Sequence, residues 1–195
     1  MGISYVPSKI HWNYFLAIQQ DFEQISRYIE FAKSNNKTFS IELARVIMSS
    51  SQEVDVMMKG ICKLLGKGNA NNIDDYRVCI KSKLTSLVDE EVSIPRFGLK
   101  SKPWKNWQGD ENPLWWKANN KIKHQRTEHF QQANLKNAIN AIGALLIVNV
   151  YFYKLDNEQQ IGSGLTWKDI TRELNCGNNF LMLQDSYYGG ALLLE

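Results

Sequence analysis

Titratable and polar side chains gather in one stretch of this sequence, Pro113-Leu-Trp-Trp-Lys-Ala-Asn-Asn-Lys-Ile-Lys-His124-Gln-Arg126. Pro113 suits the first turn of a helix, where its missing N–H costs nothing, and no breaker follows before Arg126, so the stretch predicts one helix. On that helix Asn120 and His124 stand four apart on one face, Lys121 is three residues before the histidine, and Trp116 is a turn before Asn120. From the residues alone two readings stay open. One is a catalytic or nucleic-acid-binding surface; the other is a tryptophan-anchored helix whose histidine merely meets a neighbour.

Trp115-Trp116, Asn120, Lys123-His124 and Arg126, followed by a long apolar helix, resemble the signature region of the HEPN superfamily, helical bundles that include many metal-independent RNases. The resemblance extends over residues 11–155 and is loose outside the motif. It implies an endoribonuclease acting in growth arrest, as in toxin–antitoxin pairs, or in phage defence, with attack of a ribose 2′-OH on the neighbouring phosphate. His124 would be the general base or acid, since an ordinary imidazole pKa of about 6.5 suits proton transfer at neutral pH. Asn120 would orient a phosphate oxygen or the imidazole. The family's motif arginine is replaced here by Asn119, so Lys121, Lys123 or Arg126 would have to neutralise the charge that builds on phosphorus. On this reading Asn119→Arg should raise any activity. The same replacement supports the alternative, a catalytically inactive helical module that binds RNA or a partner protein. The family also implies a homodimer facing two motifs across one cleft, and a regulatory protein partner.

The tryptophans and lysines around the motif add to this picture. Four of the six tryptophans fall between residues 104 and 116, beside Arg96, Lys100, Lys102 and Lys105. The indoles either pin a loose loop to the core or offer faces on which single-stranded bases stack while lysines meet phosphates. Lys117, Lys121, Lys123, Lys105 and Trp107 are the candidate RNA contacts.

Other chemistries lack their residues. Gly66-Lys67-Gly68 has neither the spacing nor the ending of a phosphate loop, and Gly162-Ser163-Gly164 lacks the strand a dinucleotide fingerprint needs. His124 and His129 diverge on a helix and His11 stands alone, so no metal is expected and no cofactor. Asp89-Glu90-Glu91 reads as a solvated turn. Cys62, Cys79 and Cys176 form no Cys-x-x-Cys pair, which with the absence of a signal-like N-terminus predicts a reducing, cytoplasmic setting.

The elements that position the motif follow from periodicity. With 44% hydrophobic and 22% charged residues the chain is an ordinary folded one, and a net charge of +3 is too mild to imply a polyanion partner without local clustering. Apolar spacing predicts a helix from His11 to about Lys33, a second from a Ser40 cap to about Leu65, and a third from an Asp74 or Asp75 cap to about Val88. In the second, Glu53 and Asp55 lie near the apolar stripe, either exposed or facing a basic partner. Val92 to Asn112 reads as irregular. Leu135 to Tyr153 is apolar nearly all round and predicts a central or interfacial helix, with Ala138, Ala141, Gly143 and Ala144 admitting a close neighbour. Its core, Ile142 to Tyr153, is shorter than the roughly 20 residues a membrane span needs, so no membrane association is expected. Beyond a linker at Asp156 to Gly164, Thr166 and Asp169 form a capping box for a short helix ending at Cys176-Gly177. Phe180 to Gln184 and Ala191 to Leu194 predict a small hairpin or extended tail. The expected fold is all-α, an antiparallel helical bundle of four to five main helices over residues 1–160, with residues 161–195 as a C-terminal extension packed on it.

Overall fold

A computed structural model describes residues 8–176 and 180–189, and in them the chain is mainly helical. Helix α1 (Ile10–Ile25) buries Trp12, Phe15, Ile18 and Phe22 along one side. It stops short of the predicted Lys33. The Ser26 hydroxyl donates to the Glu23 carbonyl at 2.7 Å and the Tyr28 N–H turns back to Ile25 at 3.0 Å. A side chain that bonds the local backbone offers an exit from the helix, and the turn returns Phe31 to the core, 4.8 Å from Phe22 between ring centroids.

Helix α2 (Ile41–Leu64) starts as the sequence predicts, with the Ser40 hydroxyl accepting the Leu43 N–H at 3.1 Å, and gives way to Gly66 at φ 79°. In helix α3 (Ile73–Lys83) the cap is Asn72, whose Oδ1 accepts from the N–H groups of Asp74 and Asp75. The two aspartates therefore sit in the first turn, where their charge suits the helix dipole. Residues Thr85–Asp89 continue as a 3-10 turn, so α3 ends well before Val88.

The stretch read as irregular contains two short strands, β1 (Val92–Ile94) and β2 (Leu99–Ser101), paired antiparallel with Val92 opposite Ser101 and Ile94 opposite Leu99. Three residues are too few to display an alternation in sequence, which is why the strands escaped the periodicity reading. Ser93 also bridges Met182 through both backbone groups at 2.8 and 2.9 Å. The Phe180 to Gln184 segment thus leans on β1; Ala191 to Leu194, its predicted hairpin partner, lies outside the described residues.

Helix α4 (Leu114–His124) and the single turn α5 (Arg126–His129) replace the one helix predicted over Pro113 to Arg126, because Gln125 leaves helical geometry at φ −140° and ψ 50°. Helix α6 (Leu135–Ile161) runs two turns past Tyr153, through most of the expected linker, to Gly162 at φ 100°. Helix α7 (Trp167–Glu173) carries the predicted Thr166–Asp169 capping box and ends before Cys176.

Helices α2 and α6, the two longest, lie along one another; α1 and α4 each touch both, α3 packs on α2, and α7 on α6. Helix α6 is buried at every position from Ala141 to Tyr151. Each fully buried Leu, Ile or Val contributes about 1.5–3 kcal/mol relative to exposure, so this helix dominates the core. It is also long and apolar enough to cross a membrane by length and composition alone, yet 78% of its apolar window is buried inside the chain. Its small residues serve internal neighbours: a Cβ on Gly143 would meet the Val92 side chain at 2.6 Å. The apolar circumference that suggested a dimer is covered within one chain.

The acidic run after α3 is a correction. Glu90 is 8% exposed and accepts hydrogen bonds from the hydroxyls of Tyr151, at 2.8 Å, and Tyr187, at 2.5 Å. Trp167 packs on both tyrosine rings. A carboxylate in the core thereby fastens the segment after α7 to α6, with both hydroxyls converging on its Oε1, so that the buried oxygen is hydrogen-bonded.

Candidate nucleic-acid interface

Helix α4 turns Trp115, Ala118 and Ile122 inward, each at most 2% exposed, and this leaves two polar flanks. The Trp115 indole N–H donates to the Pro103 carbonyl at 3.0 Å, and Trp104 sits 5.2 Å from the Trp115 ring and 4.4 Å from Trp107. Trp107 is wholly buried, so it offers no face to a base. Its place among the expected RNA contacts is corrected: with Trp104 it pins the loop that presents Lys102 and Lys105. Trp116 is half-buried.

One flank of α4 forms a cleft of about 840 Å³. Lys117 and Lys121 stand on its α4 side, Lys33 and Lys37 approach from the turn after α1, and Lys136 and Asn137 come from the first turn of α6. A second hollow of about 380 Å³ shares Leu114, Lys136 and Asn137 with the first and leads to Lys102 and Lys105. Among the described residues no carboxylate lines either hollow. Lys117 pairs with Glu111 at 2.9 Å, which holds that carboxyl below its usual range. The other six lysines make no ion pair among the described residues. Cations left without counter-charges around a concave surface, beside the positive end of α6, focus a positive potential there. The modest net charge of the chain conceals this concentration.

The other flank faces α2 across a hollow of about 610 Å³, lined by Trp116, Asn119, Asn120 and Lys123 with Ser51 and Asp55 opposite. Asn120 borders both this hollow and the basic cleft. His124 is exposed at the last position of α4 and lines neither. Arg126 lies past the break, its guanidinium 3.4 Å from the Met48 sulfur. The structure therefore gathers Lys117, Lys121 and Asn120 as the sequence suggested and adds Lys105 by way of the second hollow. It leaves His124 and Arg126 outside both hollows, because α4 ends one turn beyond Asn120. Lys102, noted in the sequence only as part of the basic loop, joins Lys105, and Lys33, Lys37, Lys136 and Asn137 are additions of the structure; the two lysines flanking Ser34-Asn35-Asn36 are the one basic signal in that segment.

Elsewhere, His11 Nδ1 lies 2.5 Å from Glu53 Oε1 and its ring stands edge-on to Phe152, so the isolated histidine and the carboxylate of α2 join α1, α2 and α6. Asp55 accepts from the Tyr76 hydroxyl and from Lys59. Burial pushes the thiols of Cys62 and Cys176 up to about 12, and at neutral pH neither is a nucleophile. Among the described residues no group of His, Cys, Asp and Glu side chains comes together that could hold a metal ion. Compared with protein-family models, with characterised proteins and with solved structures, the chain finds no match.

Proposed function

We propose that this protein binds single-stranded RNA through the lysine-lined cleft beside α4, as a helical module of HEPN-like type. The observation that carries the reading is that, among the described residues, six lysines without ion-pair partners surround two adjoining hollows lined by no carboxylate. Phosphates contribute most of the affinity in such a site, and exposed lysine ammonium groups are their point-charge partners. In this reading α1, α2, α4 and α6 form the antiparallel bundle, a view supported by the contact of α1 and α4 with both long helices. A homodimer and a regulatory protein partner, in growth arrest or phage defence, belong to the same reading through the resemblance.

The second reading is a metal-independent endoribonuclease, favoured by one observation, the exposure of His124 one turn after Asn120 on the same helix. Binding and cutting separate in one experiment. Labelled single-stranded RNA is incubated with the protein in EDTA, and the bound fraction and the products are followed together. Saturable, salt-sensitive binding without products supports the first reading. Cleavage lost by about 100-fold in His124→Ala, with binding retained, supports the second. Absence of binding at low salt removes both.

A further inference from the structure

We propose that Asn137 makes the cleft selective for bases that carry an amino group where uracil and guanine carry a carbonyl, that is, for cytosine and adenine. The inference rests on the RNA-binding reading and adds to it the chemistry by which a base, and not only a phosphate, is recognised. Asn137 borders both hollows and is 7% exposed, so the little surface it shows opens into the cleft. The backbone N–H donates to the Asn134 side chain at 3.0 Å, which seats the residue in the capped first turn of α6, and its carboxamide is oriented by Nδ2, which donates to the Gln132 carbonyl at 2.9 Å. A carbonyl only accepts, so the amide cannot be flipped, and Oδ1 is left as the free end. That oxygen has no partner among the described residues and, unlike the sealed Oδ1 of Asn149, it reaches solvent.

A fixed acceptor among lysines is the wrong group for a phosphate and the right one for an N–H donor. The neighbouring carboxamide of Asn134 cannot share this role, because its Oδ1 is taken by Asn137 and its Nδ2 by the Gln131 carbonyl. A strand whose phosphates lie on Lys121 and Lys136 presents a base edge to the floor between them. Cytosine offers its 4-amino group there; uracil offers a carbonyl oxygen whose lone pairs face those of Oδ1. Adenine and guanine differ in the same sense at their 6 position. An acceptor that gains or loses one hydrogen bond in this way changes affinity by several-fold to about tenfold.

The test compares oligocytidylate with oligouridylate of equal length on the intact protein, by fluorescence anisotropy at one salt concentration. Cytidylate should bind roughly tenfold more tightly. An oligonucleotide of 2-pyrimidinone riboside, which lacks the 4-amino group, should fall to the uridylate level, and this arm needs no variant. Asn137→Leu, checked for a native melting curve, should bind cytidylate and uridylate equally while keeping its salt dependence. Equal binding of cytidylate and uridylate by the native protein overturns the inference and leaves the RNA-binding reading standing. So does a preference that survives deletion of the amino group or of the Asn137 amide. Failure of every oligonucleotide to bind removes both.

Discussion

If the cleft beside α4 holds an RNA backbone, its affinity must fall with salt by an amount the structure sets in advance. Six lysines border the two hollows without an ion-pair partner among the described residues, while Lys117 is engaged by Glu111. For single strands each phosphate neutralised contributes about −0.7 to the slope of log affinity against log salt, so full engagement gives a slope of about −4. Over a fourfold rise in salt that is a loss of roughly 300-fold. Removing one free lysine, as in Lys121→Ala or Lys136→Ala, should flatten the slope by about 0.7, or about 2.5-fold over the same range. Lys117→Ala should flatten it less, since Glu111 already meets that charge. Lys63→Ala, exposed near the end of α2 and outside both hollows, should not alter it. The assay is anisotropy of a labelled single strand of about twelve nucleotides, within the usual site size of single-strand binders, titrated at several salt concentrations. A slope near zero, or one that drops equally in Lys63→Ala and Lys136→Ala, would refute the assignment of the cleft.

Two further outcomes follow from burial. Trp107→Ala should act as a core deletion and not as the loss of a stacking surface, costing about 3–5 kcal/mol and, at about 2–4 °C per kcal/mol for a chain of this size, lowering Tm by roughly 6–20 °C; an unchanged Tm with lost binding would contradict the burial. Stability should also fall in alkali. Burial raises the hydroxyl pKa of Tyr151 and Tyr187, and pushes that of Tyr188 up to about 12. A group with a raised folded pKa stabilises fully below its unfolded value, about 10 for tyrosine, and loses that contribution as pH climbs toward the folded one. Each such tyrosine removes at most about 1.4 kcal/mol per pH unit above pH 10. Tyr187→Phe should flatten that decline in Tm, and a Tm constant from pH 9 to pH 12 would refute it.

What the sequence reveals and conceals here follows from how far each signal reaches along the chain. Helices α1, α2 and α3 declare themselves by apolar periodicity, α4 by Pro113 and the lack of a breaker, α6 by apolarity on every side, and the Ser40 and Thr166 caps by local hydrogen-bonding chemistry. Their ends are less readable, because Ser26 and Gln125 stop helices without glycine or proline. The buried carboxylate of Glu90 is unreadable in principle from its neighbours: its partners Tyr151 and Tyr187 lie 61 and 97 residues away. The basic cleft is a middle case. Lys117 and Lys121 are marked by their helix, but Lys33, Lys37 and Lys136 join them only through the packing of α4 against α6 and the return of the chain after α1. An i, i+4 pattern sees one face of one helix; a cleft is made by three segments.

The replacement of the motif arginine by Asn119 has a sharper consequence in three dimensions than in sequence. On the resemblance alone, Asn119→Arg should restore a cation near His124 and raise any cleavage. Asn119, however, is half-buried in the hollow between α2 and α4, which Asp55 also lines. It stands five residues before His124, which on a helix of 3.6 residues per turn turns the two side chains well away from each other. A guanidinium grown from that position meets the Asp55 carboxylate inside the hollow, where the partner is fixed and partly shielded from water, before it meets a phosphate at the end of α4. An ion pair of this kind contributes about 1 kcal/mol or less, so Asn119→Arg alone should leave RNA uncut in EDTA and change Tm by at most a few degrees. Asn119→Arg combined with Asp55→Asn frees the cation, at the expense of the hydrogen bonds that Asp55 accepts from Tyr76 and Lys59. Cleavage that appears in the double variant, and is lost again on adding His124→Ala, would mean that Asp55 withholds the arginine from catalysis. Cleavage that appears in the single variant and depends on His124 would show that the hollow does not capture the guanidinium, and the geometry argued for Asn119 would be wrong.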